Sequence, residues 1–254
     1  MDLSIQIMSI TQTINETLNF QTDDSSSFWK DPLFQAYPSI DKRFGFYLPW
    51  SIRKEYLSYQ LMKIYSEEKK TFKQQQKIYI KQWTQYREML TDIFSEIFHI
   101  DCKNRFNEIQ VDLSLNPICP RYIDEKRFSV FYKYGPKQFL NLAIHEIIHF
   151  IWFDVWQKHF KDNKQEYEQP HLKWLLSEMV IDTLIKYTKL NTLYAKEDID
   201  KPAYAYFYDI HIQGKPILEK LKEIYQTTSS IQNFMEKAYL YLQENESEIQ
   251  KQII

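Results

Sequence analysis

The chain has 254 residues, a formal net charge of −2, 44% hydrophobic and 26% charged residues, and only three glycines and two cysteines. The near balance of charge gives no electrostatic reason to expect a nucleic-acid partner, and three isolated glycines cannot form a glycine-rich phosphate-binding loop. Two cysteines are too few for a disulfide framework, and the first residues lack the basic and apolar regions of a secretory signal. We therefore expect a soluble, cytoplasmic, globular protein with no membrane partner.

The first hundred residues are predicted to contain weak strands, a loop and a long helical region. The segments SIQIMSI (4–10) and INETLNF (14–20) alternate weakly between apolar and polar residues, which favours strands. A loop is expected over 21–32 because that segment is rich in Asp and Ser. Residues 52–98 carry apolar side chains at helical spacing, interrupted by the polar stretch 66–77, so they predict one long helix or two in tandem.

The next stretch changes to strands and then returns to helix. NEIQVDLSL (107–115) alternates with a period of two, and RFSVFYKYG (127–135) is rich in aromatic and β-branched residues, so both predict strands. Gly135-Pro136 ends the second strand, and proline suits the first turn of a helix. The sequence therefore predicts a helix over about 137–158.

The remaining chain is predicted to be helical except for a loop over 161–169, one aromatic segment and a polar tail after residue 244. Helices are expected over 170–189, 215–226 and 230–244, and AYAYFYDIHIQG (203–214) is expected to be irregular. Strands, a long helix, further strands and then helices indicate an α+β fold that is mostly helical, with a small antiparallel sheet. We expect residues 1–100 to form an N-terminal segment packed on residues 101–254 within one compact domain.

The stretch HEIIH (145–149) places three polar residues in the middle of an otherwise apolar helix. His145 and His149 are four residues apart, so they lie on one face of a helix, one turn apart, and both imidazoles can reach one ion. Glu146 is offset from them and can accept a proton from water at an open position of that ion. The pattern therefore predicts zinc. Two buried histidines satisfied by hydrogen bonds are the alternative without metal.

A catalytic zinc ion takes three protein ligands, so a third ligand is required. His159, His171 and His211 are later histidines that could supply it, and Cys119 is an upstream thiol. A glutamate on the following helix is the remaining source. SEMVID (177–182) places Glu178 there, with an aspartate four residues later.

The spacing E-x-x-x-D is not informative alone, because it occurs three times in the chain. Glu88 and Asp92 form the first pair; Glu108 and Asp112 lie on a predicted strand, about 13 Å apart, too far to serve one ion together. Only Glu178 follows the histidine helix on an amphipathic helix of its own. Leucine, methionine and isoleucine neighbours would bury it, and a buried carboxylate needs a partner such as a metal. Asp182, one turn on, could accept the free ring N–H of a histidine ligand.

HEIIH and SEMVID together resemble the gluzincin zinc metallopeptidases, the thermolysin-like clan. The resemblance covers two helices and implies His145, His149 and Glu178 as zinc ligands, Glu146 as general base and Asp182 as the residue that holds His145. It also implies an antiparallel edge strand beside the helix of the motif, for which FSVFYKY (128–134) stands in the expected place. Ser177 and Ile181 depart from the residues common in thermolysin-like enzymes, and the aminopeptidase element G-x-M-E-N is absent.

The resemblance further implies a donor for the developing oxyanion downstream of the third ligand. Tyr204, Tyr206, Tyr208 and His211 are available, and His211, with Asp209 to orient it, is the preferred candidate. The expected function is a zinc-dependent peptidase, with endopeptidase action on peptides or proteins. A metal-binding regulatory module without turnover is the alternative, and a helical protein without metal is the third possibility.

Overall fold

The structure is a computed structural model that describes residues 1–161, 164–194 and 198–253. Helices dominate it, and strands form one small mixed sheet and one two-stranded ribbon. The mostly helical α+β class predicted from the sequence is therefore confirmed. Within the described ranges, none of the helices combines the length and the apolar run that crossing a bilayer requires.

The chain folds as two compact units, and neither is contiguous in sequence. One unit contains Met1, Tyr86–Asn107 and Leu140–Ile254, and the other contains Asp2–Gln85 and Glu108–Phe139. The first is called the helical unit here, and the second the sheet unit.

The sheet unit contains a four-stranded sheet whose strands run in the order β1-β2-β4-β3. The strands are β1 (Asp2–Ile7), β2 (Glu108–Ser114), β3 (Arg121–Tyr122) and β4 (Arg127–Phe131). β1 pairs with β2 and β2 with β4 in parallel, and only β3 and β4 are antiparallel. The prediction of an antiparallel sheet is thus wrong for two of the three pairings. Twelve residues separate β2 from β4, enough for the crossover that a parallel pair needs.

The strand expected to lie at the sheet edge has partners on both sides. β4 lies between β2 and β3, and its Ser129 N–H donates to the Pro120 carbonyl at 2.8 Å just beyond the paired residues of β3. The interpretation of 128–134 as a free edge strand is therefore wrong. The turn that follows Tyr122 folds β3 back onto β4 and covers that edge.

Helices of the sheet unit come mostly from the first 85 residues. They are α1 (Ile10–Asn19), α2 (Ser27–Ala36), α3 (Lys42–Tyr47), α4 (Trp50–Glu67) and the first half of α5 (Lys69–Phe98). The tandem helices α4 and α5 confirm the alternative of two helices over 52–98. Helix α2 replaces part of the predicted loop.

INETLNF is helical rather than extended, so that strand prediction is wrong. It lies in α1, where Ser9 and Gln12 form a reciprocal capping box. Thr13, Glu16 and Thr17 are buried at helical spacing. Over such a short segment, the same residues match both a period of two and a period of 3.6. The capping box at Ser9 then favours the helix.

Glu16 is a buried carboxylate held by three hydroxyls in the sheet unit. Its oxygens accept from Ser114 Oγ at 2.9 Å, Ser129 Oγ at 2.6 Å and Tyr122 Oη at 3.2 Å. Burial raises the pKa of Glu16, although these hydrogen bonds and the nearby charge of Arg127 act in the opposite direction. Glu16 therefore keeps its proton to a higher pH in the folded state than an exposed glutamate does.

We expect Glu16→Gln to become more stable relative to the parent chain as pH rises. A carboxyl whose pKa is raised in the folded state contributes its full stabilisation of the fold at pH values below its ordinary pKa of 4.5. That stabilisation is lost as pH rises through the folded pKa. Glutamine stays neutral, so the difference in unfolding free energy should grow over this window and then level off. Urea unfolding at a series of pH values measures it. Glu55→Gln, at an exposed glutamate of α4, should show no such trend.

The helical unit is built around two helices that are buried on nearly every side. These are α7 (Pro136–Phe160), of which the part from Leu140 belongs to this unit, and α8 (Leu172–Tyr187). A helix that is apolar all round is typical of the interior of a domain. In α7, Trp152 packs edge-on against Phe234, with ring centroids 6.0 Å apart, and Trp156 packs against Tyr239 at 5.2 Å.

The rest of the helical unit surrounds these two helices. It comprises the second half of α5, α6 (Cys102–Arg105), β5 (His211–Ile212), β6 (Lys215–Pro216), α9 (Ile217–Gln226), α10 (Ile231–Glu244) and α11 (Glu246–Ile253). Helices α9 and α10 pack on α8, and the predicted polar tail forms α11. Short 3-10 helices occur at Lys164–Tyr167, Lys189–Thr192 and Ala205–Asp209.

Candidate metal centre

The three residues predicted as metal ligands come together between α7 and α8. His145 Nε2 and His149 Nε2 are 3.0 Å apart, and Glu178 Oε2 lies 3.3 Å from the first and 3.4 Å from the second. His145, His149 and Glu178 are the group among the described residues that could hold a metal ion. The structure therefore contains a possible metal-binding group at the residues that the sequence indicated.

The spacing of the three atoms fits a tetrahedral ion. Zinc bonds to nitrogen and oxygen ligands are about 2.0–2.1 Å long, so neighbouring ligand atoms of a tetrahedron lie about 3.3–3.4 Å apart. Two of the three observed separations fall in that range, and they exceed the usual length of an N–H···O hydrogen bond, about 2.7–3.2 Å. Two imidazole nitrogens and one carboxylate oxygen also match a donor set of catalytic zinc.

The group is buried on one side and open on the other. The side chains of His149 and Glu178 are 0% and 1% exposed, whereas that of His145 is 18% exposed. The His149 ring also lies nearly parallel to the ring of Phe153, with centroids 6.3 Å apart. Solvent can therefore reach the group from the His145 side, where an open coordination position is needed for chemistry.

Helix geometry explains why the sequence places these side chains together. His145 and His149 lie one turn apart on α7, and Glu178 lies near the middle of α8, whose residues from Leu172 to Ile185 are all buried. Ser177 does not join the group, because its hydroxyl donates to the Trp174 carbonyl at 2.7 Å within the same helix. Glu146, between the two histidines, is only 5% exposed.

The other candidates for the third ligand lie elsewhere. His171 is the exposed N-cap residue of α8, and it is not part of the group around the two motif histidines. His159, near the end of α7, lies 2.7 Å from Glu236 through its Nε2. Cys119 belongs to the sheet unit and receives the Phe131 N–H. Glu178 is therefore the third member of the group that could hold a metal ion.

Asp182 does not hold His145 as the resemblance implied. Its Oδ1 accepts from Tyr208 Oη at 2.5 Å and pairs with Lys186 Nζ at 2.7 Å. Asp182 is 4% exposed, so both partners satisfy a buried carboxylate. The carboxylate thus connects α8 to the aromatic segment that follows, rather than to α7.

His211, the preferred oxyanion donor from sequence, is exposed on the short strand β5. Its Nδ1 lies 2.9 Å from the backbone carbonyl of Asp209, so the Asp209 carboxylate does not orient the ring as expected. The pKa of Tyr206 is affected by the charge of one member of the metal group. Burial and then the negative charge of Glu178 raise the pKa of Tyr206 to about 12. Among Tyr206 and His211, it is therefore Tyr206 that senses the charge of a member of the group.

Two polar contacts near the site were not predicted from the sequence. Asn141 Nδ2 donates to Asp198 Oδ2 at 2.6 Å, and Asn141 lies one turn before His145. The second contact is the bond from Tyr208 to Asp182. The four tyrosine and histidine side chains of 204–211 were recognised as candidates, but nothing in the sequence indicated which of them α8 contacts.

Comparison of the chain with protein-family models, with curated proteins and with solved structures finds no match in any of the three. The geometry of the three side chains is therefore the main support for an assignment of class.

Proposed function

We propose that this protein is a zinc-dependent peptidase, a hydrolase of the gluzincin type. The convergence of His145 Nε2, His149 Nε2 and Glu178 Oε2 within 3.4 Å carries this proposal, because it combines a zinc-compatible donor set with the motif glutamate on the same helix. When bound at this group, zinc would polarise a peptide carbonyl and make water more acidic.

Glu146 is the proposed general base. It occupies the position beside the two histidine ligands on α7 and is almost completely buried, so its carboxylate faces the protein rather than bulk solvent. It would take a proton from the attacking water and pass it to the leaving amine. Proton transfer by one positioned carboxylate in both directions suits peptide hydrolysis, in which the base of one step becomes the acid of the next.

Tyr206 is the proposed donor to the oxygen on which negative charge develops. A phenol is protonated at neutral pH and can donate one hydrogen bond. The negative charge of Glu178, a member of the metal group, contributes to the raised pKa of Tyr206, which supports this assignment. A hydrogen-bond donor directed at the developing charge stabilises the transition state more in a partly buried site than in water.

The proposed substrate class is peptides or proteins cleaved at internal bonds. The sequence has no G-x-M-E-N element to bind a free amino terminus, so we propose endopeptidase action on peptides or proteins. A metal-binding module without turnover would share the three ligands, and it is distinguished by the experiment below.

Hydrolysis of an internally quenched peptide library is expected to disappear after chelation and to return with one equivalent of zinc. Chelation should also lower the melting temperature, because an ion bound only by the folded state stabilises it. Magnesium serves as the control, since it prefers oxygen ligands and should not restore activity. One bound zinc without hydrolysis would identify the silent module, and no bound zinc would contradict both functions.

A further inference from the structure

Residues Asp198–Tyr208 run from one ligand helix to the other and are called the strap here. At its start, Asp198 accepts a hydrogen bond from Asn141 Nδ2 at 2.6 Å. Asn141 belongs to α7 and lies four residues, hence one turn, before His145. The strap is therefore fixed to α7 one turn from the first ligand.

The other half of the strap follows one face of α8. Trp174, Glu178 and Asp182 lie on successive turns of that face, because each is four residues from the next. The Tyr204 ring packs on Trp174, with centroids 6.3 Å apart, and Tyr208 Oη donates to Asp182 Oδ1 at 2.5 Å. The strap thus contacts α8 one turn before Glu178 and again one turn after it.

Tyr206 lies midway between these two contacts. Its ring stacks on Tyr204 at 5.7 Å and packs on Phe207, which is completely buried, at 4.4 Å. Because Trp174 and Asp182 flank Glu178 on α8, the segment between Tyr204 and Tyr208, which contains Tyr206, runs alongside the turn that carries Glu178. The influence of the Glu178 charge on Tyr206 agrees with this placement.

We propose that Asp182 and Tyr208 are positioning residues that hold Tyr206 beside the metal group, and that Asp182 acts through the strap rather than on a histidine ligand. This inference rests on the proposed function for its consequence in catalysis. Asp182 Oδ1 is shared between Tyr208 and Lys186 Nζ, the latter at 2.7 Å. The lysine balances the carboxylate charge, so the strap is attached to an ion pair rather than to a lone buried charge.

Tyr208→Phe removes the hydroxyl and keeps the ring, and it is expected to loosen the strap without releasing zinc. Loss of a hydrogen bond to a charged acceptor should raise the rate of deuterium uptake in peptides covering 198–209 by at least about tenfold. The dissociation constant of zinc, measured by chelator competition, should change by less than about threefold. Asp182→Asn should likewise raise deuterium uptake in the strap and change the dissociation constant of zinc by less than about threefold. Unchanged uptake in Tyr208→Phe would overturn the proposal.

Tyr187→Phe is the matched control, because Tyr187 is a partly exposed tyrosine of α8 near Lys222 and has no place in the site. It should leave uptake in the strap at the parental level. If Asp182→Asn instead weakens zinc binding by about 10–100-fold while Tyr208→Phe does not, Asp182 serves a histidine ligand and the proposal is wrong. Neither readout requires turnover, so both remain valid if no hydrolysis is found.

A double-mutant cycle tests whether Tyr208 acts through Tyr206. Tyr206→Phe alone should lower kcat by about 10²-fold, the usual effect of removing one oxyanion donor. If Tyr208 only positions Tyr206, adding Tyr208→Phe to that variant should lower kcat no further. Independent losses that multiply in the double variant would contradict the proposed order of action.

Discussion

Glu146→Gln is expected to lower peptide hydrolysis by about 10²–10⁴-fold, the usual contribution of a general base, while one zinc per chain is retained. Glutamine has nearly the shape of glutamate, so the packing around this buried position of α7 should persist. It cannot accept a proton, however, so the attacking water loses its base. The variant should melt close to the parental temperature in the presence of zinc.

The control for this prediction is Glu108→Gln, at an exposed glutamate on β2 that also belongs to an E-x-x-x-D pair. Its hydrolysis rate should equal that of the parent chain. Rates are measured on the same quenched peptides, with zinc content determined on the same samples. A Glu146→Gln enzyme with full activity and full zinc occupancy would exclude Glu146 as the base.

Glu178→Gln is expected to weaken zinc binding by more than about 100-fold. Residues that merely support a ligand contribute about 10–100-fold to affinity, so a ligand itself should contribute more. The Glu178 carboxylate oxygen lies within 3.4 Å of both histidine nitrogens, whereas an amide oxygen is a neutral and weaker ligand. Without zinc, the variant should be no less stable than the parent chain, because it removes a carboxylate that is 1% exposed.

Two matched variants make this result specific to Glu178. Glu88→Gln changes an exposed glutamate with the same E-x-x-x-D spacing on α5, and His171→Ala changes the exposed N-cap residue of α8. Both should bind zinc as the parent chain does. Loss of zinc in His171→Ala, with normal binding in Glu178→Gln, would assign the third ligand to the histidine.

The features predictable from sequence are those fixed by local periodicity. The apolar spacing over 52–98 indicated α4 and α5, and the four-residue separation of His145 and His149 placed both rings on one face of α7. Glu178 could be selected because its helix is apolar around it, and a carboxylate in such surroundings needs a partner. The structure brings Glu178 to the histidines as that reasoning required.

The predictions that failed have two causes, a neighbouring helix cap in one case and a distant segment of the chain in the other. Residues 14–20 fit a strand pattern as well as a helix pattern, and the Ser9 cap decided the outcome. The direction of β2 relative to β4 follows from how the twelve intervening residues cross the sheet unit, which a strand's own sequence does not specify.

Asp182 illustrates the same limit within the site. Spacing alone put it one turn from Glu178, but its hydrogen-bond partner is Tyr208, which is 26 positions away. The position of Tyr208 depends in turn on how residues 198–208 pack on α7 and α8. A motif therefore predicted which three side chains come together, whereas it could not predict which side chains surround them.

Anomalous diffraction across the zinc absorption edge, from crystals of the full chain grown with one equivalent of zinc, tests the central claim most directly. We predict one zinc peak per chain, bounded by His145 Nε2, His149 Nε2 and Glu178 Oε2. A peak at other residues, or three unliganded side chains at saturating zinc, would contradict the assignment of this group as a zinc site.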